Sequence, residues 1–403
     1  MSSAVAGLAI RPRVRGAPPA ARRGLAAAAF AFTAVLPLFF GEGSPAVQDM
    51  VLAAAYVVMA LGLNIVVGFA GLLDLGYVAC FAIGAHVAAY FGSTFWANAG
   101  HGAGFALLVG EPAASMPGIH LNFLLVIVLA MLAATAAGVL IGVPTLRLRG
   151  DYIGIVTLAF GEIIGQVVAN GRDIELFGGT LTGGPQGISG IDGIDLPLLA
   201  PFDRLDLRPW YWFALALAAL MLFVNLRLRD SRPGRAWMAL REDEQAAASV
   251  GVPVVRTKLL AYGAGAALGG ASGAFLASFL SVVNPHQFTF SFSIFILTMV
   301  VLGGLGSIWG VVAGAIVLSA VNNYLLPEVL YDVPAKVGLD FDLSEISVGI
   351  YGFLLVIVML LRPEGLLPDR SHRPSPWEPG LSRRRARRAS PSAARRPGPA
   401  RTP

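Results

Sequence analysis

Charged side chains are scarce: Asp, Glu, Lys and Arg make up 13% of the 403 residues, where a soluble protein carries roughly a quarter. So little polar surface excludes an ordinary soluble domain and predicts contact with lipid. Cysteine is scarcer still. Cys80 stands alone, which excludes an internal disulfide and a metal site built on two thiolates. The histidines, His86, His101, His120, His286 and His372, form no His-x-x-x-His pair, so neither a metal site nor an intramembrane protease is indicated. No Gly-x-x-x-x-Gly-Lys-Ser/Thr run occurs, so the chain has no Walker-type ATP site, and no cofactor is expected in it. The glycine-rich stretch Gly178–Gly190 lacks a lysine and is expected to be a flexible external loop rather than a phosphate cradle.

What is present is apolar: hydrophobic residues reach 56% and the mean hydropathy is +0.71. A helix crosses hydrocarbon in about 20 mostly apolar residues. Such runs lie near 24–41, 47–68, 70–92, 121–143, 152–170, 209–227, 259–283, 288–303, 305–326 and 346–362. These predict an all-α membrane protein, a polytopic helical bundle of about ten transmembrane segments. The pairs meeting at Gly68–Gly71 and Gly303–Gly306 have almost no room to turn, so either could be a re-entrant hairpin. Phe105–Gly110 is too short to span and is placed in an external connection.

The net charge of +5 belongs to the two ends. Eleven Arg and three acids follow Leu361, and five Arg and no acid precede Gly24, which leaves the 338 residues between at −8 (13 basic, 21 acidic). Because these segments flank apolar runs, they are orientation signals rather than a nucleic-acid surface. The termini, Arg147 with Arg149, and the run Arg227–Lys258 hold 25 of the 29 basic residues, and with ten spans all fall on one side. Only Arg172, Arg204, Arg208 and Lys336 fall opposite. Both termini are therefore predicted to be cytoplasmic, with an even number of crossings. The N-terminal arginines, apolar run and Ser44-Pro45-Ala46 have some likeness to a signal peptide. The run is longer than the usual 7–15 residues of such a signal, however, and cleavage would leave an odd count, so an anchored first span is expected. The organisation predicted is a basic cytoplasmic segment (1–23), a transmembrane domain (24–362) and a disordered Arg/Pro-rich cytoplasmic tail (363–403), too poor in large apolar side chains to fold.

Within the spans, small residues four apart let helices approach closely, and Gly265, Gly269 and Gly273 form one such stripe, Gly306, Gly310 and Gly314 another. Polar groups are rarer. An ionisable side chain at mid-membrane costs at least about 2.5 kcal/mol on insertion scales. Glu162, Gln166 and Asn170 follow at four-residue steps on one helix face, which is expected to meet the bundle interior or a water-filled cavity. Asp74 is placed about one turn inside the third span, favoured by the helix dipole, with Tyr77 on the same face. Asn64, Asn322 and Asn323 either line a path or hydrogen-bond between helices.

The internal connection 228–258 is predicted to hold one or two short helices, stopped by Gly251 and Pro253. Here the chain resembles the membrane subunits of bacterial ABC importers for branched-chain amino acids, in particular the larger of their two paralogous permeases. The resemblance covers roughly residues 50–368. It rests on Gly62-Leu63-Asn64-Ile65-Val66-Val67-Gly68 with Ala70–Tyr77, Leu148–Tyr152, Thr157–Ile164, Leu181–Ile188, Arg241–Gly251, Met299–Ser307 and Arg362–Leu367.

The resemblance implies a permease domain of the ABC importer type in the bacterial inner membrane. It implies pairing with a paralogous permease subunit, two cytoplasmic ATP-binding subunits and a substrate-binding protein. The segment Arg241, Glu242, Asp243, Glu244, Gln245, Ala246, Ala247 to Gly251 then corresponds to the loop that couples to the ATPase. Such permeases read Glu-Ala-Ala-x-x-x-Gly there. This sequence has Gln245-Ala246-Ala247-x-x-x-Gly251, with Glu244 adjacent. Candidate path residues are Asn64, Asp74, Tyr77, Glu162, Gln166 and Asn170, and the implied cargo is Leu, Ile or Val. Related permeases carry urea or short amides, and a proton-coupled carrier using Glu162 is a separate alternative.

Overall fold

The computed structural model describes residues 30–97, 104–110, 115–146, 148, 152–176, 179–195, 202, 205–329, 347–362 and 365–367. The basic segment 1–23, Arg147, Arg149, Lys336 and the tail from 368 lie outside the described residues.

Seven of the described helices, with adjoining turns, are long and apolar enough to cross a membrane. They are α2 (Pro45–Phe69), α4 (Phe123–Thr145), α5 (Tyr152–Asn170), α6 (Arg208–Asp230), α9 (Val254–Leu280), α10 (Phe290–Gly303) and α11 (Ile308–Ala320). Three shorter apolar helices occupy the remaining candidate runs: α1 (Phe30–Phe39), α3 (Val78–Phe91) and α12 (Ser347–Leu361). Two short polar helices, α7 (Arg232–Glu242) and α8 (Glu244–Ser249), stand between α6 and α9.

Helix α9 is the centre of the bundle, packing against α4, α3 and α2. Its small residues make this possible. A Cβ on Gly273 would lie 2.2 Å from the carbonyl oxygen of Phe81 in α3, and one on Gly270 would lie 2.5 Å from the Ala134 Cβ in α4. Gly265 meets Gly62 and Val66 of α2, and Gly269 meets the ring of Tyr77. In the second stripe, Gly310 and Gly314 press on the backbone of α10 at Gly303 and Met299. Gly306 belongs instead to the turn before α11, where its φ of +82° suits glycine.

The third apolar run departs from expectation. Helix α3 begins only at Val78; residues 70–77 form a largely buried, non-helical stretch, opened by Gly71 at φ +69°. Asp74 is therefore not inside a helical turn. Side chains, two of them distant in sequence, make this possible by accepting the hydrogen bonds that a helix would otherwise satisfy. Thr157 Oγ1 accepts from Leu75 N (3.0 Å), Ser293 Oγ from Val78 N (3.3 Å) and Asp74 Oδ1 from Gly76 N (2.9 Å).

The end of the bundle opposite α7 and α8 is closed by short strands. β1 (Gly92–Ser93), β3 (Ile119–Leu121) and β2 (Phe105–Leu107) form one sheet, β4 (Glu175–Leu176) and β5 (Gly179–Thr180) a hairpin, and β6 (Ile188–Ser189) pairs with β7 (Val282–Val283). The stretch Gly178–Gly190, expected to be flexible, is thus pinned by pairing over its described part, and Thr182 Oγ1 donates to the Val168 carbonyl of α5. Buried His120 places Nδ1 2.6 Å from Asp192 Oδ2. Burial pushes the Asp192 carboxyl above the ordinary range, while His120 pulls it back down. Ser278 and Ser281 of the α9 terminus donate to the carbonyls of Asp192 and Ile191.

Candidate functional site

The polar connection between α6 and α9 folds as two helices because each end is capped. Ser231 Oγ accepts from Gly234 N, and Asp243 Oδ1 accepts from Gln245 N (2.8 Å) and Ala246 N (3.0 Å). Gly251, at φ +91°, ends α8 in the left-handed conformation that glycine adopts freely, and Val252 N closes on the Ala247 carbonyl. Trp237 is buried and donates Nε1 to the Thr257 carbonyl at 2.9 Å. Lys258, 2% exposed, reaches both carboxylate oxygens of Glu244 at 2.9 Å. The loop is therefore bolted to the first turns of α9 at two points.

Arg241 makes the third attachment. Its Nη1 donates to the Gly68 carbonyl at 2.6 Å, at the end of α2 where residues 64–69 widen into a π-helical turn. Asn64 Oδ1 accepts from Gly306 N at 2.9 Å. A Cβ on Gly306 would stand 2.8 Å from Arg241 Nη1, and one on Gly68 2.7 Å from Gly306 N. The two glycine joints, Gly68–Gly71 and Gly303–Gly306, thus meet, and Arg241 closes over both. The sequence pattern marked each joint and the loop but not their meeting, because the partners are about 170 and 240 residues apart.

The loop surface divides in two. Ala247 is 3% exposed and faces inward, and Glu244 is engaged by Lys258. Arg241, Glu242, Asp243, Gln245, Ala246, Ala248, Ser249 and Val250 are exposed.

The six candidate path residues do not converge. Asn64 is fully buried at the joint, with its Nδ2 unpartnered. Asp74 lies in the non-helical stretch, 6% exposed, and Tyr77 donates its hydroxyl to the Gly265 carbonyl at 2.8 Å. Glu162, Gln166 and Asn170 share one face of α5, as their spacing requires, but that face is exposed on this chain rather than turned into its bundle. Asn170 Nδ2 donates to the Gln166 carbonyl at 3.0 Å.

None of these six lines the cavity of about 280 Å³ at the end opposite the loop. Its wall includes a ring cluster: Tyr56 lies edge-on to Phe295 (centroids 5.4 Å apart) and Phe292 (5.9 Å), and Phe295 meets Tyr351 at 5.0 Å. Asn322 accepts from the Tyr351 hydroxyl, and Gln287, Thr289 and Ser291 stand on the same wall. Tyr56 is 12 residues before Gly68, about 18 Å along a helix rising 1.5 Å per residue. The sequence flagged only Asn322, because the rings come from three separate helices.

An exterior rich in exposed apolar side chains, a core of closely packed small residues and a capped polar loop tied to helix joints define a multi-pass helical membrane protein. Residues 46–359 match the family described as "Branched-chain amino acid transport system / permease component", and the chain belongs to that family. It is 37% identical over 358 residues to the high-affinity branched-chain amino acid transport system permease protein LivM of Escherichia coli, covering 82% of this chain and 72% of that one. It is 25% identical to the probable branched-chain amino acid transport permease protein LivM of Methanocaldococcus jannaschii, over 78% of this chain and 91% of the other. The LivH permease protein of Escherichia coli is 32% identical over 161 residues, 39% of this chain and 46% of its own length. No solved structure matches. These relatives are transport permeases.

Proposed function

We propose that this chain is the membrane-spanning subunit of an ATP-driven importer that moves branched-chain amino acids across the bacterial inner membrane. A substrate-binding protein delivers them on the outer side. The observation that carries the mechanism is the attachment of the exposed α7–α8 loop through Arg241 to the Gly68 carbonyl, with the Gly306 turn packed beside that contact and tied to it by Asn64. With ten crossings and both termini cytoplasmic, the loop faces the cytoplasm, where an ATP-binding subunit seats on Gln245, Ala246, Ala248 and Val250. Val250, 79% exposed, is the apolar anchor of that seat. Nucleotide binds more tightly when two such subunits close, and that difference in affinity shifts the membrane part between outward-open and inward-open states. A loop bolted through Trp237 and Lys258 cannot absorb the movement by bending, so the movement reaches Gly68 and Gly306.

The exposed Glu162, Gln166 and Asn170 face supports pairing with a paralogous permease subunit. Ionisable and amide groups at membrane depth avoid lipid and turn to protein or a water-filled path. On this reading that face of α5 lines the path between the two subunits.

The deciding experiment changes the loop tip alone. Val250→Asp and Ala246→Arg should abolish co-purification with the ATP-binding subunits and vanadate-sensitive leucine uptake, with the unfolding temperature of the chain unchanged. Retention of both activities would refute the seat. Uptake that collapses with a protonophore while ATP is maintained would replace ATP drive with proton coupling.

A further inference from the structure

The cavity at the far end of the bundle has the composition of a ligand site. Small-molecule pockets are mostly apolar and aromatic, hold a few polar groups and begin at roughly 300 Å³. At about 280 Å³ this one has room for a single small molecule. Among the described residues its wall holds no Asp, Glu, Lys or Arg, and one histidine, His286. A ligand with a charged side chain would give up hydration there and find no permanently charged side chain on the described wall. The side chains of Gln287, Thr289 and Ser291 and the hydroxyl of Tyr56 make no hydrogen bond among the described residues. Donors and acceptors are therefore free beside a face of rings.

We infer that this vestibule is a binding site for a neutral amino acid, with the aliphatic side chain against Tyr56, Phe292 and Phe295. The ammonium and carboxylate lie at the half-open mouth near Ser291 and Gln287, where water remains. The inference rests on the proposed import function and deepens it. In that orientation the vestibule is on the outer side, so the membrane subunit itself rejects acidic and basic amino acids after release from the binding protein.

The chain offers a clean test because Cys80 is buried. Ser291→Cys, expressed with its companion subunits in intact de-energised cells, is treated from outside with a membrane-impermeant methanethiosulfonate. Labelling should be fast, and L-leucine at ten times its half-protecting concentration should slow it about tenfold. L-Glutamate and L-lysine should not. Adding Tyr56→Ala should raise the half-protecting concentration about tenfold, the usual scale for truncating an anchoring ring, while Tyr56→Phe should leave it within about twofold.

Labelling that leucine does not slow overturns the site. So does equal protection by glutamate, and so does absence of labelling from either side. Protected labelling only in opened vesicles keeps the site and overturns the orientation. Protection together with no ATP-dependent leucine uptake by the wild-type assembly keeps the site and overturns the import reading.

Discussion

Helices α9 and α5 are both apolar rods long enough to span a membrane, yet 78% of the most apolar 18-residue stretch of the first is buried within the chain and 28% of that of the second. Hydrophobicity does not separate them, because lipid and protein interior are both apolar. The small residues of α9 do, since they let three neighbours come to backbone contact. α5 carries polar residues on an open face and meets its neighbours sparsely. In a membrane protein, therefore, small side chains mark the centre, and a polar stripe marks the side left for water or another chain.

The contrast breaks most sharply at Gly273. Its Cβ would meet the Phe81 carbonyl oxygen at 2.2 Å, so Gly273→Val should cost about 3 kcal/mol, the upper range for overpacking. A large fall in the unfolding temperature of the detergent-purified chain would show it, and an unchanged temperature would remove α9 from the centre.

Where α9 ends, Asp192 gives a smaller effect with a definite sign. Its carboxyl titrates above the ordinary range in the folded chain, so ionising it opposes folding. Its contribution is most favourable below the ordinary carboxylate range and is lost as pH rises through the raised value. Asp192→Asn should flatten this part of the profile in unfolding scans run upward from the ordinary carboxylate range; an identical slope in wild type and variant contradicts it.

Smallest of all should be the stability change on α5. Glu162→Gln is expected to stay within about 0.5 kcal/mol, as surface substitutions do, while pairing with the second permease subunit, followed by co-purification, weakens. A severe loss of stability would mean that Glu162 is anchored inside the chain.

How much of this was legible in the sequence depended on distance along the chain. Each apolar run holds a helix over at least part of its described length, and Gly251 with Pro253 marked the stop of α8, because these signals are local. Residues 70–77 misled, since the groups that release them from helical bonding, Thr157 and Ser293, lie 82 and 215 residues away. The spacing of Glu162, Gln166 and Asn170 gave their shared face correctly but not its direction, which is set by tertiary packing. The vestibule was invisible because Tyr56, Phe292 and Tyr351 become neighbours only after folding.

The crossing of α10 and α11 has a mechanical meaning. With Gly303, Gly310 and Gly314 in near backbone contact, the pair has no side-chain cushion to shear, so it should travel as one block. Arg241 stands beside that block at the Gly306 turn while its hydrogen bond holds Gly68. Any alternation between outward and inward forms must then be a swing of this paired unit against the rest of the bundle, with the looser packing around α5 as its clearance.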